Sequence, residues 1–206
     1  MSDAKISVVD YEAIPGQAGN MRGKGEELNR ELKKIYDNVT NMHNCWYGKR
    51  YNELATSFNN IIAQLNDILT LVVTEIPSTL ETVANNYAQV DRGSNVTSVN
   101  RTDINKITEI ARPNDVGMRF MTSDVQTVKD QVKTGFNNAR SQMDAIESIL
   151  GTVTWDSEAA TAFRDKFKTL KNNIVTSFQN LDQEFANKMQ ATIEDMAQAE
   201  SANTVK

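Results

Sequence analysis

Ten apolar residues, Leu54, Phe58, Ile61, Leu65, Leu69, Val72, Ile76, Leu80, Val83 and Tyr87, follow one another at steps of three and four. That alternation keeps all of them on one face of an α-helix and would scatter them over both faces of a strand. A second run, Phe163, Phe167, Leu170, Ile174, Phe178, Leu181, Phe185, Met189, Ile193 and Met196, nearly reproduces the first. The two superpose at a constant offset of 109 residues, which is also the offset between Trp46 and Trp155, the only tryptophans. Two independent signals therefore mark one internal repeat.

Upstream of each tryptophan lies a shorter helical pattern. It is Leu28, Leu32, Ile35, Val39 and Met42 in the first copy, and Val125, Val128, Val132, Phe136, Met143, Ile146 and Leu150 in the second. Each copy thus reads as helix, tight turn with tryptophan, longer helix. Three prolines and nine glycines leave little punctuation for shorter elements. The expected fold is all-α: two tandem antiparallel helical hairpins packed as an elongated four-helix bundle, because each long apolar stripe needs a partner to bury it. The hairpins are assigned to residues 1–91 and 123–206, with a polar linker at 92–122.

Local signals supply the ends. Ser123 and Gln126 form a capping-box pattern opening the third helix, Gly151 suits its left-handed C-terminus, and Asp156 or Ser157 can cap the fourth. Gly93 can close the second helix, and Pro77 should bend that helix without breaking it. Ile104, Ile107 and Ile110 suggest a short helical turn or two inside the linker. A long helix over 50–91 spans about 60 Å, and a linker of some thirty residues reaches about 100 Å when extended. The crossing is feasible within one chain, so an elongated monomer is expected, although the linker would also permit a swapped dimer.

Chemistry is sparse. A net charge of −5 and a pI near 5.0 provide no positive field for nucleic acid or anionic lipid. His43, the only histidine, has no ligand partner at metal spacing and reads as a solvated helix-end residue; Cys45, the only cysteine, reads as a small turn residue. No nucleophile elbow, P-loop or dinucleotide fingerprint occurs, so no enzyme, cofactor, metal or small-molecule substrate is expected. The first residues lack a basic region followed by an apolar stretch, so no cleavable signal peptide is read there. No uninterrupted apolar stretch approaches the length that spans a bilayer, which argues against a helical pore-former.

Two local patterns remain. Trp46-Tyr47-Gly48 stands in the first hairpin turn, and Tyr87-Ala-Gln-Val-Asp91 stands near the end of the following helix, with Tyr87 and Asp91 on one face. An acid at the negative end of a helix dipole brings no stability, so stability does not explain Asp91. Together, in a unit of about a hundred residues, these motifs resemble the WXG superfamily, the small helical-hairpin substrates of type VII (ESX) secretion. The second copy keeps the tryptophan but not the glycine, in Trp155-Asp156-Ser157, and Met196-Ala-Gln-Ala-Glu200 stands where the Tyr–Asp pair should be.

The resemblance implies a non-enzymatic substrate or export partner of such a system, secreted without a cleavable signal and cytoplasmic beforehand. It implies Tyr87 and Asp91 as the export signal, with Trp46, Gly48 and Trp155 building the turns. The implied partners are the type VII secretion ATPase or another machinery component, and a further WXG-like chain or a second copy. Antiparallel packing would put Tyr87 and Asp91 near Trp155, and Met196 and Glu200 near Trp46. The alternative is a helical adaptor, intracellular or surface-associated, with no export role.

Overall fold

The computed structural model describes residues 7, 8 and 10–203. The expectation that no cleavable signal peptide is present rests on residues 1–10, of which 1–6 and 9 lie outside that range. After β1 (Ser7–Val8), α1 (Ile14–Asn41) leads through a 3-10 turn (Met42–Asn44) into β2 (Trp46–Tyr47). A rod of 44 residues, Lys49–Arg92, follows. It is built from α2 (Lys49–Asn59), α3 (Ile62–Thr70), a π-helical turn (Leu71–Glu75) and α4 (Ile76–Arg92). Beyond the linker come β3 (Arg119–Phe120), α5 (Thr122–Thr152), β4 (Trp155–Asp156) and α6 (Glu158–Asn203).

The four rods close a ring in which α1 packs on α5 and α4, while α6 packs on α5, α2 and α3. The fold is the all-α bundle its apolar stripes require, with one continuous core drawn from both hairpins. Two short strand pairs fix the direction of packing. β1 pairs antiparallel with β4, Val8 opposite Trp155, and β2 pairs with β3, Trp46 opposite Phe120. Each segment leading into a hairpin's first helix is thus bonded to the other hairpin's tryptophan turn, an exchange that only head-to-tail hairpins allow.

Leu54, Phe58, Ile61, Leu65, Leu69, Val72, Ile76 and Leu80 are all buried. In the second stripe Ile193 is 37 % exposed, and the buried position is Thr192, 2 % exposed, which stands at the true repeat offset from Val83. A helix face admits one residue at that angle, and the Thr192 hydroxyl is satisfied by donating to the Lys188 carbonyl at 2.8 Å. The wide π turn lies immediately before Pro77, whose ring crowds the preceding turn and lacks an N–H, so the rod continues through a locally altered register.

Of the expected caps, Gly93 is left-handed at φ 71° and Ser157 accepts the Ala160 N–H at 3.1 Å. Two expectations fail. α5 begins after Met121 with no side-chain cap, and Gly151 lies inside α5 with a negative φ. The β2–β3 pairing holds the chain just ahead of α5: the Met121 N–H donates to the Cys45 carbonyl at 2.9 Å, and Met121 in turn accepts the Asp124 and Val125 N–H groups.

The rod also contains an 18-residue window with a mean hydropathy of 1.2, long and apolar enough by composition to cross a membrane, half of it buried in the fold. It contains no long uninterrupted apolar run, because polar residues such as Asn66 and Thr70 punctuate the rod. Part of that polarity serves the linker.

The linker is not helical: Ile104, Ile107 and Ile110 lie on extended chain, and Ile107 and Ile110 are nearly fully buried. It runs back along the rod, where a line of side chains holds its backbone. Asn59 accepts the Ile110 N–H at 2.8 Å and donates to the Ile110 carbonyl at 2.9 Å; Asn66 does the same for Ile107 at 2.9 and 3.1 Å. Asn85 grips Thr97 likewise, at 3.1 and 2.9 Å. Where an extended segment is buried, as at Ile107 and Ile110, its peptide groups must be satisfied, and here side chains replace the missing sheet or helix partners.

Candidate functional site

The two turns hold their tryptophans alike. Trp46 is 1 % exposed, stacked on Phe185 at 6.0 Å and edge-on to Phe120 at 5.4 Å between ring centroids. Trp155, also buried, sits among Ile76, Leu80, Leu150 and Phe163. Ile76 and Phe185 stand at the same repeat position, so each indole closes the bundle against the equivalent turn of the opposing long helix. Gly48 adopts φ 119°, a conformation costly for any residue with a Cβ, as it opens α2. Ser157 opens α6 instead, and Arg164 pins that turn by donating to the carbonyls of Leu150 and Trp155, each at 3.2 Å.

At the Trp46 end, Thr192 and Asp195 line a cleft with Trp46, Tyr47 and Gly48. Arg50 pairs with Asp195 at 2.7 Å. Half-buried Met196 follows directly, so the end of the second long helix does lie beside the first turn.

At the other end Tyr87 is half-buried and Asp91 exposed. Trp155 meets the rod at Ile76 and Leu80, and Leu80 is seven residues, about 10 Å of helix, before Tyr87. Asp91 instead accepts a hydrogen bond from the Tyr11 hydroxyl, and Arg92 pairs with Glu12 at 2.7 Å. The Asp91 carboxylate raises the Tyr11 pKa above its ordinary value, since it bonds the protonated phenol and repels the phenolate. Residues 10–12 thus bridge Asp91 to the second turn, where the Thr154 hydroxyl donates to the Asp10 carbonyl at 3.3 Å. Sequence reasoning missed this segment; Tyr11 and Glu12 carry no periodicity that would mark them.

His43 is less solvated than expected. It lies in the 3-10 turn, hydrogen-bonded to Asp115 at 2.6 Å with its ring 5.3 Å from that of Tyr51, and so ties the end of the linker to the first turn. Cys45 is buried, its thiol directed to the Met42 carbonyl, and burial raises the thiol pKa. Among the described residues no three His, Cys, Asp or Glu side chains gather as metal ligands would.

Residues 8–92 match the family described as proteins of 100 residues with WXG. The first hairpin belongs to the WXG100 family. WXG100 proteins are small helical proteins associated with type VII secretion and are not known as enzymes. No curated protein and no solved structure matches the chain. In this WXG100 hairpin the Trp and Gly of the motif do separate jobs, one plugging the bundle and the other turning the backbone. The second hairpin lies beyond the matched residues, tied to the first by the repeat offset and by the reciprocal strand pairing.

Proposed function

We propose that this chain is a substrate or export partner of a type VII secretion system, a covalently joined pair of WXG-like hairpins that works by being recognised and not by catalysis. Tyr87 and Asp91 are its export signal, read by the secretion ATPase or another component of the machinery. The observation that carries the reading is the junction of an intact WXG turn with a Tyr and an acid on one helix face, at the end of the rod that residues 10–12 link to the second turn. The opposite end offers Met196 and Glu200 at the matching positions, so the two ends are chemically unequal.

In a secretion assay, Tyr87→Ala or Asp91→Ala should abolish export, while Met196→Ala and Glu200→Ala leave it largely intact. Asp91 is exposed, so its replacement should change stability by no more than about 0.5 kcal/mol. Normal export of Asp91→Ala, or the reverse ranking of the two ends, would put the signal elsewhere in the chain, and an amount in the medium that does not depend on the type VII ATPase would favour a helical adaptor with no export role.

A further inference from the structure

The linker lies in its groove as a bound peptide lies in a receptor. Along the rod the clamping side chains Asn52, Asn59 and Asn66 recur every seven residues, or two helical turns of about 10.5 Å. Along the linker the clamped residues Ile107, Ile110 and Pro113 recur every three, a rise of about 9–10 Å in an extended chain. The two rulers nearly coincide. Each asparagine at 59 and 66 takes both the N–H and the C=O of one residue, so recognition falls on the peptide backbone, while the isoleucines at the same spacing fill the groove.

Asn52 breaks the pattern in an informative way. Its amide donates to the Pro113 carbonyl at 2.9 Å, but proline has no N–H to return, and the buried Asn52 Oδ1 has no hydrogen-bond partner among the described residues. At this position the groove therefore offers an N–H acceptor that its own linker leaves unused. Farther along, Asn100 is gripped by two different side chains: Glu81 accepts its N–H at 2.7 Å and Arg22 of α1 donates to its carbonyl at 3.1 Å.

From this geometry we propose that the groove between α1 and the Lys49–Arg92 rod is a binding site for an extended peptide, filled here in cis by residues 97–113. It would accept in trans a segment with apolar side chains three residues apart and a free N–H at the position of Pro113. This reading is independent of the export signal.

The test uses the full chain with residues 96–113 replaced by an equal length of Gly and Ser, and as probe a fluorescein-labelled synthetic peptide of residues 96–114. Saturable binding in fluorescence anisotropy is expected. It should weaken about tenfold for each of Asn59→Ala and Asn66→Ala, in line with the loss of paired hydrogen bonds. A peptide carrying Pro113→Ala should bind several-fold tighter. A helical variant that binds no peptide, or binds it equally well without the two asparagines, overturns the proposal. Should the replaced chain not fold, the natural one can be folded first and then cut at protease sites introduced after the exposed Gly93 and Val116. Exchange of the freed segment for labelled peptide, faster in Asn66→Ala, then supports the site, and failure to exchange with or without that substitution overturns it.

Discussion

Two buried tyrosines give the core a definite response to alkali. Tyr36 donates its hydroxyl to the Phe58 carbonyl at 2.6 Å, and burial raises its pKa well above the ordinary value. Tyr51 is pushed up to about 12, first by burial and then by the Asp115 carboxylate. Both phenols thus stay protonated in the folded chain at a pH where the unfolded chain has begun to lose its protons near the ordinary value of about 10. Stability is fully present below about pH 10 and is lost as pH rises toward 12, by at most about 1.4 kcal/mol per pH unit for each tyrosine. Urea unfolding at pH 8, 10 and 11 should show this decline, and Tyr51→Phe should flatten it. An equal slope with both tyrosines replaced by phenylalanine would place the effect elsewhere. Neither residue stood out in the sequence, since Tyr36 lies one step off its stripe and Tyr51 lies in register just ahead of the run that begins at Leu54. Trp46 and Trp155 did stand out, because a repeated rare residue is visible without coordinates.

Among the helices, glycines separate tight contacts from open surface. A Cβ on Gly135 would stand 2.5 Å from Cγ1 of Ile35, and one on Gly25 would stand 2.6 Å from Cγ2 of Val73, so α1 approaches both α5 and the π turn over bare backbone. Gly19 and Gly23 have nothing within 4 Å. Gly19→Ala and Gly23→Ala should each stabilise the chain by about 0.5–1 kcal/mol through helix propensity and a less flexible unfolded state. Gly135→Ala gains the same propensity but overpacks the buried Ile35, and should be destabilising by about 1–3 kcal/mol. Thermal melting of the three variants gives the signs, and a raised melting temperature for Gly135→Ala would mean that the helices separate more easily than their packing implies. The helices themselves were legible from periodicity. Their ends were less so: Ser123 and Gly151 carry the right residue types for caps, yet strand pairing at Met121 and continuation of α5 to Thr152 took precedence. Local capping signals contribute about 1 kcal/mol, and a tertiary contact of similar size is enough to move a boundary.

At the scale of the whole chain the linker governs connectivity. Between Asn85 and Asn52 the rod covers about 50 Å, and residues 97–113 span it at about 3.1 Å each, close to the rise of a polyproline II chain. The full linker still has slack in its exposed ends. Deleting residues 99–110 leaves fourteen residues between Arg92 and Arg119, a reach of about 50 Å, against a rod of about 65 Å. The natural chain should therefore scatter light as a monomer of 23.0 kDa, and the shortened one as a dimer in which hairpins pair between molecules. A monomeric deletion variant, or a natural chain found only as dimers at low concentration, would show that the linker does not set the pairing.

The sequence by itself determined the repeat, the four rods, the two tryptophan turns and the resemblance that led to a WXG100 hairpin, because these depend on spacing along one chain. Only the tertiary structure decided what covers the rod. Ile107 and Ile110 look like a short helix when read alone, since three-residue spacing suits a helical turn and an extended chain equally well. Asparagines seven apart on a distant helix resolve that choice, and no local window contains both partners. The same reason hid the contact of Tyr11 with Asp91: it joins residues 80 apart in sequence, and it forms only when the two arms of the first hairpin have folded back on each other.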